Sequence, residues 1–336
     1  MRGEGRGRWD QLLGSFRLRE GAPLLERYAG VLLLAVLIVV FSLAKPELFP
    51  TYNNFIGIAA NDSVSGIVAL GLLIPLAAGV FDISIAGMMT LSIVGITALF
   101  QYTNGGFPVV LAMVVVLLVA CFVGLVNAGL VVGIGVDPFI ATIGTGAILI
   151  GISQVIGNGT TLTFHIPSSF TGFGRASFAR IPESLFIFAA LAVLVWYILS
   201  HTPAGRILYA TGAGRQAARL SGVRTTRVIM VAFMASALGA AVAGILYAAQ
   251  LGQGPPGVGE AFLLPAYATA FLGATIIKPG RFNVVGLVVA ILIIAVGING
   301  FELLGAPFWV ESLFQGTALV GAVALSQVRR RSGAPR

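Results

Sequence analysis

Ionisable side chains are scarce in this sequence, and the few that interrupt its apolar runs are where chemistry could reside. Asp62 and Asp82 fall at the edges of long apolar segments, Ser84 follows Asp82 by two residues, and Asn127, Thr142, Thr145 and Asn299 lie within or beside such segments. A carboxylate at membrane depth is costly and usually faces the protein interior or a water-filled path, so Asp62 and Asp82 could line a translocation path, gate it or hold a coupling ion. Each could equally cap a helix, because a carboxylate accepts backbone N–H bonds and suits the positive end of the helix dipole. For Asp82, with Ser84 behind it, the cap is the simpler expectation. Asn127, Thr142, Thr145 and Asn299 are the uncharged analogues, and such side chains commonly join helices by hydrogen bonds in lipid.

A second group is cationic. The stretch GRQAARLSGVRTTR, residues 214–227, gathers Arg215, Arg219, Arg224 and Arg227. If residues 213–221 form a short helix that stops at Gly222, Arg215 and Arg219 lie one turn apart on one face, a like-charge pair that costs a few tenths of a kcal/mol in isolation. Ala217 and Leu220 form a small apolar strip beside them, with Ala218 and Ser221 completing the turn. Such a helix suits docking onto an anionic, partly apolar protein surface, or lying at a phospholipid surface. The same arginines could instead be ordinary charges that hold a loop on the cytoplasmic side. The residues leave these readings open.

Other chemistries lack their parts. Cys121 is the only cysteine and sits in an apolar run, so neither a disulfide framework nor a Cys-rich metal site can form, and His165 and His201 are the only histidines. A phosphate-cradling loop needs Gly-Lys-Ser/Thr, and neither Lys45 nor Lys278 has those neighbours. No nucleophile with its base stands out among isolated Ser and Thr residues. No cofactor, no metal and no enzymatic activity are expected of this chain.

The elements that must position these residues are membrane helices. The chain has 336 residues, 57% of them hydrophobic and 10% charged, and a mean hydropathy of +0.99, whereas about a quarter of residues are charged in a soluble globule. Its uncharged runs are helix-length rather than the short alternating segments of a barrel, so the class is all-α and polytopic. Ten spans are expected, near residues 28–44, 63–81, 86–102, 107–131, 138–157, 184–200, 228–250, 264–277, 283–304 and 309–328, the eighth being the shortest. The polar segment 1–27 precedes a first span without a small-residue cleavage pattern, so that span is expected to be retained. With the N-terminus inside, all of the Lys and Arg residues except Lys45, Arg175 and Arg180 fall on the cytoplasmic side. This divides the chain into a basic cytoplasmic segment 1–27, one transmembrane domain 28–328 with a cytoplasmic loop 201–227, and a basic tail 329–336. The net charge of +8 reads as topology, since the basic residues have no aromatic, base-stacking context and nucleic acid is not expected as a partner. The 44 glycines read first as close-packing positions.

Several stretches together resemble the ribose/xylose-type permease family, the membrane subunits of bacterial ATP-binding-cassette (ABC) importers for simple sugars. GRILYATGAGRQAARLSGV followed by AFMASALGAAVAGIL is one; GVFDISIAG at 79–87, DPFIATIGT at 137–145 and ATAFLGATIIKPGRFNVVG at 268–286 are similar to three further family segments, in order over about residues 55–325. Departures include Val80-Phe81 for the usual Gly-Ile, Ile85-Ala86 for Val-Gly, and KPGRFN for a glycine pair before Arg. The resemblance implies a ten-helix fold of the vitamin B12-importer type in the inner membrane. It implies two permease subunits, working with two ABC ATPase subunits and an extracytoplasmic sugar-binding protein. It makes the loop between spans six and seven, with Arg215, Ala217, Ala218, Arg219, Leu220, Ser221 and Gly222, the element that receives the ATPase. Related permeases of this architecture carry nucleosides or branched-chain amino acids. An ion-coupled secondary transporter using Asp62, Asp82 or Glu302 is the rival class, although no internal repeat and no membrane Lys or His supports it.

Overall fold

Local capping signals decide where several of the helices begin. The computed structural model describes residues 23–332, so the expectations attached to residues 1–22 and 333–336 lie outside it. In chain order the helices are α1 (Pro23–Ala44), α2 (Tyr52–Ala77), α3 (Ile85–Tyr102), α4 (Val109–Ala128), α5 (Pro138–Ile156), α6 (Ser168–Arg175), α7 (Glu183–His201), α8 (Pro203–Ala213), α9 (Arg215–Leu220), α10 (Thr225–Leu251), α11 (Leu263–Gly273), α12 (Val284–Leu303) and α13 (Trp309–Ser332). The Asp137 carboxylate accepts from the Phe139 and Ile140 amides at 2.9 and 3.3 Å and starts α5 with Pro138 in the first position. Thr202 with Pro203 starts α8 in the same way. Asn283 starts α12, its side-chain oxygen accepting from Gly286 N–H at 2.7 Å.

The start of α2 corrects one expectation. Thr51 caps this helix through the Asn54 amide at 3.3 Å, so α2 begins with a polar turn, Tyr52-Asn53-Asn54, ahead of the apolar run that hydropathy detects. Asp62 therefore lies well inside α2 and cannot be its N-cap.

Helices occupy all ten expected places, and among the described residues seven are long and apolar enough to cross a membrane: α2, α3, α4 with its π-helical continuation Gly129–Ile134, α5, α7, α10 and α12. Two shorter apolar segments, Tyr28–Ala44 and Val258–Gly273, accompany them. At a 1.5 Å rise the 11 residues of α11 reach about 16 Å, roughly half the hydrocarbon core. This is an all-α polytopic membrane architecture, with one two-stranded hairpin among the described residues, pairing Ser177–Phe178 with Ile181–Pro182.

Helix α10 forms the centre and packs against α2, α3 and α4. Its alanines and glycines allow the close backbone approach that helix association in lipid requires. Likewise, a β-carbon on Gly87 of α3 would run into the Gly146 carbonyl of α5, so only glycine brings these two helices so near. By contrast, α4 and α7 turn Leu118, Phe122, Val193 and Leu194 outward, as helices facing acyl chains do. At one end of the bundle Arg175 donates to the Gln250 and Leu251 carbonyls at 2.8 and 2.9 Å, satisfying the last turn of α10. The opposite end carries α8, α9 and the arginine stretch.

Candidate functional site

The arginine-rich end is built from two short helices meeting at Gly214. Helix α9 ends where Ser221 leaves helical geometry and Gly222 takes φ +84°, a conformation that glycine adopts without strain. The Val223 and Gly222 amides bond back to the Ala218 and Arg219 carbonyls at 3.0 and 2.9 Å, closing the turn. Ala218 points into the protein and Arg219 donates from Nε to Thr225 Oγ1 at 2.8 Å, which fastens α9 to the start of α10. Leu220 is 91% exposed, next to exposed Ala217. Arg215 is half-buried, and its Nε has no hydrogen-bond partner. Desolvation, and then the like charge of Arg219, press its pKa downward, although a guanidinium keeps its proton. The result is an apolar tip flanked by Arg219, whose Nε is spent on Thr225, and by Arg215, whose Nε makes no hydrogen bond.

Helix α8 anchors this surface to the bundle. Tyr209 donates to the Phe282 carbonyl at 2.6 Å, and the Arg281 guanidinium sits 3.6 Å from the centre of its ring, a cation–π arrangement. Burial holds the Tyr209 phenol above the usual range, opposed by Arg281. At its far end α8 touches the α2–α3 junction with no side chain between: a β-carbon on Gly212 would collide with the Ala77 carbonyl, and one on Gly79 would lie 3.2 Å from Gly212 Cα.

That junction, residues 78–84, holds a buried polar group. Asp82 is fully buried and its Oδ1 accepts from the Ser84 amide at 3.0 Å and the Ser84 hydroxyl at 2.5 Å. Ser84 Oγ in turn accepts from Asn127 Nδ2 of α4 at 2.7 Å, and the Ile83 amide donates to Thr142 Oγ1 of α5 at 3.0 Å. Ser236 of α10 and Tyr267 of α11 bring their hydroxyls close to the Asp82 segment without reaching hydrogen-bond geometry. Asp82 Oδ2, Asn127 Oδ1, Ser236 Oγ and the Tyr267 hydroxyl are all buried and unpartnered, an arrangement that costs stability. The cap expected of Asp82 is therefore not made: Ser84 is the N-cap residue of α3 and has no side-chain cap bond, and Asp82 Oδ1 instead braces the turn ahead of the helix through the Ser84 amide and hydroxyl, while Oδ2 has no partner.

With this geometry in view, comparison with known proteins is specific. Residues 54–323 match the family model described as branched-chain amino acid transport system / permease component. The chain belongs to this permease family. Among the relatives of the permease, a D-allose transport system permease of Escherichia coli K12 is 29% identical over 303 residues, covering 90% of this chain and 92% of the relative. An autoinducer 2 import system permease of Salmonella paratyphi B is 28% identical over 308 residues, covering 89% and 91%. A ribose import permease of Bacillus subtilis is 28% identical over 304 residues, covering 90% and 93%. No solved structure matches the permease.

The permease therefore brings together Asp82, Ser84, Asn127 and Thr142, but not the other polar candidates. Thr145 bonds only to carbonyls of its own helix, Ala141 and Thr142, and faces an apolar cavity of about 620 Å³ between α3, α4 and α5. Asn299 accepts from Asn54 Nδ2 at 3.0 Å, joining α12 to the start of α2. Asp62 lies with Glu302 and Glu311 in a separate acidic group. Reading the sequence missed Ser236 and Tyr267 as neighbours of Asp82. Ser236 carried a weak signal, a polar residue within the alanine-rich run of α10; Tyr267 carried none.

Proposed function

We propose that this chain is the membrane-spanning subunit of a binding-protein-dependent ABC importer, passing a simple sugar across the inner membrane. In this reading α8 and α9 are cytoplasmic and receive the ATPase, the two termini are cytoplasmic, and a second permease subunit completes the path. The observation that carries it is the exposed apolar tip of Leu220 beside the unspent Arg215, set on a helix fixed to the bundle by Ala218 and Arg219. A surface of that composition is complementary to an anionic groove with an apolar floor. ATP-driven closure of the paired ATPases would then shift the permease between states open to either side, which requires differential contacts in the two states. The names of the allose, ribose and autoinducer 2 relatives, each aligned over about nine-tenths of the chain, support a sugar or sugar-like cargo.

The family description favours a second cargo, branched-chain amino acids, and nucleosides belong to the same test. Uptake into vesicles holding the complete complex, challenged with pentoses, hexoses, nucleosides and branched-chain amino acids, separates them. Reporters fused after residues 207 and 336 should read cytoplasmic, and those after 105, 170 and 256 external; a cytoplasmic signal at 170 overturns the topology. Uptake by the isolated chain under a proton or sodium gradient, without an ATPase, would instead establish the secondary carrier.

A further inference from the structure

The segment between α2 and α3 touches five other helices within six consecutive residues. Gly79 meets Gly212 of α8 at backbone distance. Phe81 stacks with Tyr267 and Phe271 of α11, ring centres 6.3 and 6.4 Å apart. Asp82 lies beside Ser236 of α10, the Ile83 amide bonds Thr142 of α5, and Ser84 bonds Asn127 of α4. A second line of contacts runs from α8 to the same place: Tyr209 holds the Phe282 carbonyl, Phe282 packs edge-on against Phe271 at 5.5 Å, and Phe271 stacks on Phe81.

We propose that residues 79–84 are the relay through which movement of the α8–α9 end reaches helices α4, α5, α10 and α11, with Gly79, Phe81, Asp82 and Ser84 as its positioning residues. This rests on the reading that α8 and α9 receive the ATPase. The physical reason begins with the Gly79–Gly212 contact: with no flexible side chain between the two backbones, displacement of α8 cannot be absorbed by a rotamer change and must move residues 77–79. From there the strain passes along a short turn whose polar groups are tied to different helices. The unused Asp82 Oδ2, Ser236 Oγ, Asn127 Oδ1 and Tyr267 hydroxyl supply the alternative partners that a second arrangement needs. Packed interiors shift between discrete arrangements rather than deforming continuously, so a set of unspent hydrogen-bonding atoms at the junction is a place where two such arrangements can be balanced. The ring of Phe81 fits the same role through its contacts with Tyr267 and Phe271 of α11.

The test uses the full permease–ATPase complex with Cys121→Ser and a single cysteine at Ile143, an exposed position on α5. Its labelling rate by a thiol reagent is measured with and without ATP, alongside co-purification of the ATPase. ATP should change the labelling rate in the parent complex. Asp82→Ala should abolish that response while the ATPase stays bound, and Asp82→Asn, which keeps an oxygen for Ser84, should restore it; Phe81→Ala should weaken it. The relay is overturned if Ile143 shows no response in the parent complex, if Asp82→Ala responds as the parent does, if it sheds its ATPase together with the response, or if Asp82→Asn is as defective as Asp82→Ala. Failure of the docking reading is a separate result, seen when Leu220→Asp keeps its ATPase and its ATP response.

Discussion

Helix α9 and the 79–84 junction both combine charge with apolar bulk, and they dispose of it in opposite ways. In α9 the large apolar side chain, Leu220, stands in solvent and Nε of Arg215 is left without a partner. In the junction Phe81, though partly exposed, stacks against Tyr267 and Phe271, and the carboxyl group of Asp82 is buried, one of its oxygens committed to Ser84. An element that leaves its binding capacity unused on the surface contributes little to the stability of the fold, so changes there should act on association. An element tied inside the bundle, as the junction is through Asp82 Oδ1, Ser84 and Asn127 Nδ2, should respond to substitution through stability and motion.

Four substitutions can break or sharpen this contrast. The largest effect is expected from Leu220→Asp: retention of the ATPase should fall by about tenfold or more, equivalent to roughly 1.4 kcal/mol, with membrane insertion and thermal inactivation temperature unchanged. Co-purification from membranes checks it, and an ATPase retained at the normal level would return residues 214–227 to a plain topology signal. Next, Ser84→Ala should cost about 1–3 kcal/mol, because it strips a donor from Asp82 and leaves Asn127 Nδ2 unpaired. The thermal inactivation midpoint of purified protein should drop while the ATPase remains bound; a lost ATPase with an unaltered midpoint would reverse the assignment of the two regions. A smaller effect, a few-fold weaker ATPase retention, is expected of the double change Arg215→Lys and Arg219→Lys, since an ammonium does not reproduce a planar, multidentate guanidinium. Insertion should be normal, because the positive charge is kept. Smallest of all, Arg224→Lys, at an exposed position outside α9, should stay within about 0.5 kcal/mol in stability and leave ATPase retention alone, as co-purification and thermal inactivation of the same sample would show.

Much of α9 was legible beforehand because its signals are local. Two arginines at i and i+4, a leucine one residue further and a following glycine specify a short helix and its stop, and the structure has that helix with Gly222 at positive φ. Which side faces inward was not local: Ala218 is the buried residue, while Ala217 and Leu220 are both outside. The junction was legible only in part. The cap expected of Asp82 is not made, since Ser84 is the N-cap residue and Asp82 braces it from outside the helix; the interhelical hydrogen bonds expected of Asn127 and Thr142 are made, but nothing in their spacing said that all four meet. For Asp62 the local reading failed, since an edge placed by hydropathy overlooked the polar first turn that Thr51 caps.

The sequence by itself determined what depends on composition and near neighbours: an all-α chain made for lipid, helices at ten places, and the short cationic helix after Gly214. Tertiary structure alone decided that Ser236 and Tyr267 come to Asp82, that Gly79 meets Gly212, and that Thr145 turns to an apolar cavity rather than to another helix. The reason is physical. Apolar length and capping are set by interactions over a few residues, whereas a buried polar group far along the chain finds its partner only when small residues such as Gly87 and Gly146 let particular helices touch.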